Sequence, residues 1–395
     1  MNRARKIMGI ECPIIREGDN IVDIVVDRVL KETEILCGAK IPVLSLKSSD
    51  GIEYRQVWQI SDKDIVGITE SVVARAAGQY ITVDDIAADV EKKFGKDATI
   101  CLVNPIYSRN RFSMILKGIA RAAKKVIIVM PEFDEVGNPI GVNRFTGINI
   151  EEYYKELCKG EGCECVISSA VRSISPYYCQ YNYIVCNLHN DTINDTLDKV
   201  KSSIRASVFH DVEGPLTDYD YECADNKVNN SKIFTLVDIC SDKSPDWGLL
   251  GTNKATDERL KLFPSKVECQ RVCEEVKKKI FEKTGKDVIV CIYGDGCFKD
   301  PVGGIWEFAD PVSMPGYTDK ELVESTPNEV KLKSVIDSGF NDEQIHGMID
   351  VHKNTNKPHM GTTPRVYRDL LASLMDLTSG SGDKGTPVVL VQNYF

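Results

Sequence analysis

Runs of branched apolar residues, each closed by glycine, proline or a polar turn, predict strands at 6–10, 65–68, 99–104, 125–130, 165–169, 183–186, 288–292 and 388–392. Between them, apolar residues recurring every three or four positions predict helices at 21–36, 112–123, 150–158, 195–209, 267–284 and 363–375. Asp19 is placed to cap the first of these, and a charged helical stretch at 317–340 is broken by Pro327. The stretch 246–264 predicts a glycine-containing turn followed by a short amphipathic helix before Pro264. Strands and helices interleave in this way throughout, so the expected class is α+β, with mixed sheets and flanking helices.

A length of 395 residues exceeds what one hydrophobic core usually organises, and two or three domains are expected. The polar, turn-rich segment 218–230 is a candidate domain edge or insertion. A formal net charge of −10, with no dense Lys/Arg run, argues against nucleic acid as a partner. The 14 cysteines are spread through strand-like and helix-like runs, and neither close pair, Cys163 with Cys165 or Cys269 with Cys273, has zinc-ribbon or thioredoxin spacing. Reduced thiols, no membrane span and a cytoplasmic location are the corresponding expectations. His346, His352 and His359 are six and seven residues apart, which does not put them on one helical face as ligand pairs.

Candidate chemistry concentrates where predicted strands end. After the strand at 288–292, a Gly-Asp-Gly turn leads into a loop with Asp295, Asp300, Glu307 and Asp310, four carboxylates within sixteen residues. That oxygen density suits a hard divalent cation beside a phosphate, or else a solvated acidic turn. Thr69, Glu70 and Ser71 follow the strand at 65–68, with Arg75 further on. They suit either a nucleotide contact or an ordinary helix cap. Ser108, Arg109, Asn110 and Arg111 join a strand to a helix and can face an anion at that helix start, or can be plain surface charge. Gly248, Gly251, Thr252, Asn253 and Lys254 suit a carboxylate or phosphate but lack P-loop spacing. Near the end, Ser379, Gly380, Ser381, Gly382, Asp383, Lys384, Gly385 and Thr386 lie between a packed helix and a buried strand, where glycines let the backbone approach a ligand.

Four segments in order resemble the F(420)-0:gamma-glutamyl ligases: Cys12-Pro-Ile-Ile-Arg-Glu-Gly-Asp19, the stretch Asp64 to Gly78, the stretch Gly285 to Phe298, and Gly380 to Val391. The resemblance implies a ligase-like fold carried by 1–131 and 265–395, interrupted by an inserted central α/β region at 132–264. It also implies a GTP- or ATP-dependent enzyme that uses Mg2+ or Mn2+ and adds L-glutamate, in gamma-glutamyl linkage, to an acidic small molecule such as the deazaflavin precursor or a folate. Nucleotide contacts would come from Cys12, Pro13, Ile14, Ile15, Glu70, Ser71, Arg75, Asn110, Ser379, Gly380, Ser381, Gly382, Asp383, Gly385 and Thr386. Asp295 would bind metal, with Asp300, Glu307 or Asp310 completing its shell, and Arg75, Arg109, Lys254 and Lys384 would neutralise the transferring phosphoryl. A homodimer is implied as well. Where the family carries a metal-binding glutamate in its C-terminal loop this chain has Ser381, which motivates the alternative of a nucleotide-binding regulatory protein without catalysis.

Overall fold

The computed structural model describes residues 5–33, 46–47, 53–54, 60–104, 112–133, 140–142, 147–168, 182–210, 212–294, 297–299, 306–308, 314–326, 334–353, 365–379 and 385–395. The chain opens with strand β1 (Lys6–Ile10) and helix α1 (Ile21–Glu32). One face of α1 buries Ile21, Val22, Val25, Val26 and Val29, the stripe expected of a helix against a core. Its cap is Asn20, whose side chain accepts from the Asp23 N–H at 3.2 Å. The expected cap, Asp19, instead accepts from the Arg16 N–H at 2.6 Å and closes the turn before it. Two short strands, β2 (Leu46–Lys47) and β3 (Glu53–Tyr54), pair with each other. Then β4 (Ile65–Thr69) passes directly into α2 (Glu70–Ala76).

Next come β5 (Tyr80–Thr82) and α3 (Val83–Phe94), joined by a capping box in which Thr82 and Asp85 bond reciprocally. An alternating series follows: β6 (Ala98–Val103), α4 (Phe112–Ala122), β7 (Ala123–Val129), α5 (Ile150–Gly160), β8 (Glu164–Ser168), β9 (Asn182–Val185), α6 (Asn190–Phe209), α7 (Asp218–Asn229) and β10 (Lys232–Thr235). Two short antiparallel strands, β11 (Asn253–Lys254) and β12 (Arg259–Lys261), stand where the amphipathic helix was expected. Pairing with β5 decides this, because it buries Leu260 opposite Ile81 in a three-stranded sheet. The chain continues through α8 (Lys266–Thr284), β13 (Ile289–Tyr293), the hairpin of β14 (Cys297–Lys299) and β15 (Trp306–Phe308), and β16 (Gly316–Tyr317). It ends with α9 (Asp342–Lys353), α10 (Tyr367–Ser379) and β17 (Val388–Gln392).

Contacts divide the chain into two units: 1–77, 266–296 and 312–395 in the first, and 78–265 with 297–311 in the second. The first is built on a mixed five-stranded sheet in the order β1-β17-β4-β13-β16. Strands β4 and β13 run parallel, and β17 runs antiparallel to both of its neighbours, β1 and β4. Side chains alternate between the two faces. Val66, Ile68, Val290 and Ile292 meet α1 and α8, whereas Ile65, Ile289 and Cys291 meet Leu371, Ala372 and Met375 of α10. Both faces are covered, which is why these strands read as unbroken apolar runs.

The start of the charged stretch 317–340 is not helical. Gly316 and Tyr317 pair with β13, the Thr318 N–H donates to the Val290 carbonyl at 3.0 Å, and only one 3-10 turn, Lys320–Val323, follows before Pro327, which lies outside the described residues. Pairing on the sheet outweighs helical propensity there. Beside this turn, at the amino ends of β4 and β13, Asp319 lies 2.8 Å from Lys277 Nζ and 3.2 Å from Lys63 Nζ. Burial raises the Asp319 pKa, but the two lysines outweigh it and hold the carboxylate below its ordinary value. Its stabilisation is therefore complete above the unfolded-state pKa and is lost as pH falls through the folded value. An Asp319→Asn protein should lose about 1–3 kcal/mol at pH 7 by denaturant titration, and the difference from wild type should shrink in acid. An equal difference at both pH values would contradict this assignment.

The second unit holds a parallel five-stranded sheet in the order β10-β9-β6-β7-β8. Strands on both sides of residue 132 belong to it. Successive strands step outward from β6 in one direction to β7 and β8, and in the other to β9 and β10, so the order reverses between β6 and β9. One face packs Cys101, Val103, Ile127, Val129, Tyr183 and Val185 against Ile193, Val200 and Ile204 of α6. Among the described residues no helix is long and apolar enough to cross a membrane.

Candidate functional site

Register brings four chain segments to one edge of the first unit's sheet. In the parallel pair, Thr69 lies opposite Tyr293, so β4 and β13 end together. Val388 lies opposite Ile68 on one side and Ile10 on the other, so β17 begins, and β1 ends, at that same edge. The segments 11–15, 69–71 and 385–387 and the residue Gly294 therefore leave the sheet side by side. Backbone hydrogen bonds tie them together. The Cys12 N–H donates to the Gly385 carbonyl at 2.8 Å, and the Thr69 N–H donates to the Pro387 carbonyl at 2.9 Å. Below this, the Ser379 hydroxyl donates to the Asp376 carbonyl at 2.9 Å, and the Thr386 hydroxyl donates to the Ser379 carbonyl.

The chemistry available there is specific. Glu70, the first residue of α2, is 2% exposed. A carboxylate taken that far from water is retained only where other groups hold it. Ser71 beside it is half-buried, and Arg75 is exposed in the last turn of α2. Pro13 and Ile14 are exposed, Ile14 by 75%, whereas Ile15 is buried in the core, so this loop presents an apolar surface over an anchored base. Gly385 has φ +60°, a backbone state that favours glycine, and a Cβ placed on it would stand 3.6 Å from the Cys12 carbonyl oxygen. Burial pushes the Cys12 thiol up to about 11, against the lowering effect of Arg28. That shift disfavours the thiolate form of Cys12 at neutral pH.

Of the residues singled out in the sequence, the structure brings together Cys12, Pro13, Ile14, Ile15, Glu70, Ser71, Ser379, Gly385 and Thr386, with Arg75 one helical turn further along α2. Gly380, Ser381, Gly382, Asp383 and Lys384 lie outside the described residues, as do Asp295, Asp300, Asp310, Arg109 and Asn110. Glu307 lies in β15, and its side chain is likewise outside them. Lys254 belongs to the second unit, where its ammonium pairs with Asp257 at 2.5 Å. Among the described residues, no group of three or more His, Cys, Asp or Glu side chains is arranged to hold a metal ion. A surface cavity of about 460 Å3 lies along α8, lined by Gln270, Glu274, Lys277, Phe281 and Asp287 among others, towards the amino end of β13 and away from the converging edge.

A polar cluster at the carboxyl ends of β6 and β9 was not apparent from the sequence. Asn104 Nδ2 donates to Asn187 Oδ1 at 3.3 Å and to Thr196 Oγ1 at 3.0 Å. Its one sequence signal is Asn104 itself, a residue tolerant of positive φ (here +53°) directly after a buried strand.

A family model described as F420-0:Gamma-glutamyl ligase matches residues 9–393. No curated protein matches the chain. Among solved structures, the crystal structure of eIF2B beta from Chaetomium thermophilum aligns at 10% identity over 29% of this chain and 32% of that one, with a TM-score of 0.16, a likeness too slight to carry an argument.

Proposed function

Because the chain belongs to the F420-0:gamma-glutamyl ligase family, we propose that it joins L-glutamate through an amide bond to the carboxylate of a small acidic molecule, with the nucleotide bound where β1, β4, β13 and β17 meet. Membership in that family carries ligase activity in general terms. The observation that supports the finer reading is the convergence on one sheet edge of segments drawn from positions 12, 70, 294 and 385 of the chain.

A carboxylate does not react with an amine at neutral pH, because its oxygen is a poor leaving group. In the proposed reaction, an acceptor carboxylate oxygen bonds to the terminal phosphorus of GTP or ATP, and the bond from that phosphorus to the bridging oxygen breaks with release of the nucleoside diphosphate. The glutamate amine then attacks the acyl carbon, loses a proton, and displaces inorganic phosphate. The work of the protein is positioning and charge stabilisation. Backbone groups of Cys12 to Ile15 and of Gly385 and Thr386 would cradle the nucleotide, with Gly380, Ser381, Gly382 and Asp383 as further contacts. The exposed face of Ile14 would meet the base. Glu70 and Ser71 would orient the nucleotide from the carboxyl end of β4, and Arg75 and Lys384 would offset negative charge. Arg109, Asn110 and Lys254 are proposed as anion-binding groups of the second unit. Asp295, Asp300, Glu307 and Asp310 are proposed as oxygen donors for Mg2+ or Mn2+ on residue type alone. Among the described residues no group of three or more His, Cys, Asp or Glu makes such a site by itself.

Purified protein given GTP or ATP, a magnesium or manganese salt, L-glutamate and F420-0 is expected to release one phosphate per amide formed. Nucleotide binding without phosphate release, with F420-0 and with folate as acceptor, would replace the ligase by a nucleotide-binding regulator.

A further inference from the structure

One edge of the second unit's sheet carries three thiols drawn together by a single turn. Cys158 lies in the last turn of α5, Cys165 is the second residue of the edge strand β8, and Cys163 stands in the connection between them. Two backbone bonds close that connection. The Cys163 N–H donates to the Cys158 carbonyl at 2.9 Å, and the Gly162 N–H donates to the Lys159 carbonyl at 3.1 Å. With Gly162 at φ +77°, this is a Schellman ending, which folds the chain after a helix back onto the last turn. The return brings β8 alongside α5, and there the Cys165 thiol meets that of Cys158. All three cysteines are free. Cys158 and Cys163 are buried, whereas Cys165 is only half-buried and open to a small solute. Among the described residues no three such groups are arranged to hold a metal ion, so the trio is not a metal centre.

We propose that Cys165 and Cys158 are a thiol pair oxidised by hydrogen peroxide, in which Cys165 takes the oxidant and Cys158 closes a disulfide onto it. The surroundings of each sulfur assign the roles. Cys158 holds the Cys165 thiol below its ordinary pKa, and against the effect of burial the Lys155 ammonium lowers it further. The Cys158 thiol is held up, first by Cys165 and then by burial, and burial pushes Cys163 up to about 12. The thiolate is the reactive form, so Cys165 reacts first. Its sulfur attacks one peroxide oxygen, the O–O bond breaks, and the departing hydroxide takes up the thiol proton as water, leaving a sulfenic acid. An uncharged sulfenic acid no longer opposes ionisation of Cys158. The Cys158 sulfur then attacks the Cys165 sulfur, the S–O bond breaks, and hydroxide leaves with the Cys158 proton as a second water. Two thiols lose two electrons and two protons in all, and one peroxide is reduced to two waters. The new bond ties the end of α5 to β8.

The test treats the reduced full-length protein with hydrogen peroxide, blocks remaining thiols with N-ethylmaleimide in denaturant, and maps tryptic peptides without reductant. Cleavage after Lys155, Lys159 and Arg172 leaves Cys158 on residues 156–159 and both Cys163 and Cys165 on 160–172. The two peptides are expected to appear joined, two hydrogens lighter than their sum, and to separate with dithiothreitol. Joining should fall about tenfold or more in Cys165→Ser and persist in Cys163→Ala. In Cys158→Ala, dimedone present with the peroxide should label 160–172 as a trapped sulfenic acid, and Cys165→Ser should lose that label. Cys165→Ser changes a half-buried side chain by one atom, so it tests the pair even if Cys158→Ala does not fold. The proposal fails if peroxide leaves the two peptides separate, if joining survives Cys165→Ser, or if Cys163→Ala abolishes it. It also fails if dimedone labels 160–172 equally in Cys158→Ala and Cys165→Ser.

Discussion

Glu70→Gln protein should fold, melt close to wild type, and form amide at a rate lower by about a hundredfold or more. Glutamine has the shape of glutamate and keeps one acceptor oxygen, so the packing of α2 on the sheet survives. What is lost is the second carboxyl oxygen of a side chain at a 2% exposed position, at the edge where four segments converge. Electrostatic groups in such water-excluded positions typically contribute about 3–4 kcal/mol to a transition state when they are part of the machinery. A structural role predicts the reverse pattern, with a lowered melting temperature and activity per folded molecule little changed. Measuring phosphate release per mole of folded protein, beside a thermal melt, separates the two. Turnover within a factor of three of wild type would remove Glu70 from the site.

The largest effect on stability is expected at Gly248. Its φ is +54°, and a Cβ built there would stand 2.3 Å from the Val237 carbonyl oxygen and 2.4 Å from that of Leu236. Those are backbone atoms, which cannot rotate aside as a side chain can. The surrounding turn is held by the Gly248 N–H on the Ser244 carbonyl and the Leu249 N–H on the Leu236 carbonyl, both at 2.8 Å, while the Trp247 indole donates to the Pro264 carbonyl at 2.9 Å. Gly248→Ala should therefore cost about 3 kcal/mol or more, lowering Tm by roughly 6–12 °C for a unit of this size. Gly160, at the end of α5, has nothing within 4 Å of such a Cβ, and Gly160→Ala should be neutral or mildly stabilising. If both variants melt together, the close approach of the two segments at Gly248 is wrong.

Elements with a strong local signature were legible in the sequence. Strands β4, β13 and β17 announce themselves because burial on both faces demands unbroken apolar runs, and α8 because its buried positions, Cys269, Val272, Cys273, Val276 and Ile280, keep a helical period. Decisions made between distant residues were not legible. Asn20 and Asp19 are equally good caps by residue type, and only the competing bond from Arg16 sends Asp19 elsewhere. The strands β11 and β12 exist because β5 offers a partner more than 170 residues earlier in the chain. The same division holds for the site. Its segments could be read one by one from glycines, hydroxyls and carboxylates at strand ends, but their meeting depends on a register that pairs Val388 with Ile68 and Ile10. The Asn104 cluster joins residues 83 and 92 positions apart, and neither Asn187 nor Thr196 has a local pattern that marks it.

The place of β17 in the first sheet has a consequence for biosynthesis. It lies between β1 and β4, the first and fourth strands of the chain, so both wait for residues 388–392 before their ladders are complete. The parallel sheet of the second unit needs only residues 98–235 and can assemble while the ribosome is still translating. Until the final strand emerges, β1 and β4 each present a hydrogen-bonding edge with no partner, the kind of edge that recruits strands from other chains. A nascent chain stalled before Val388 should accordingly engage chaperones through its oldest residues, with its middle already folded.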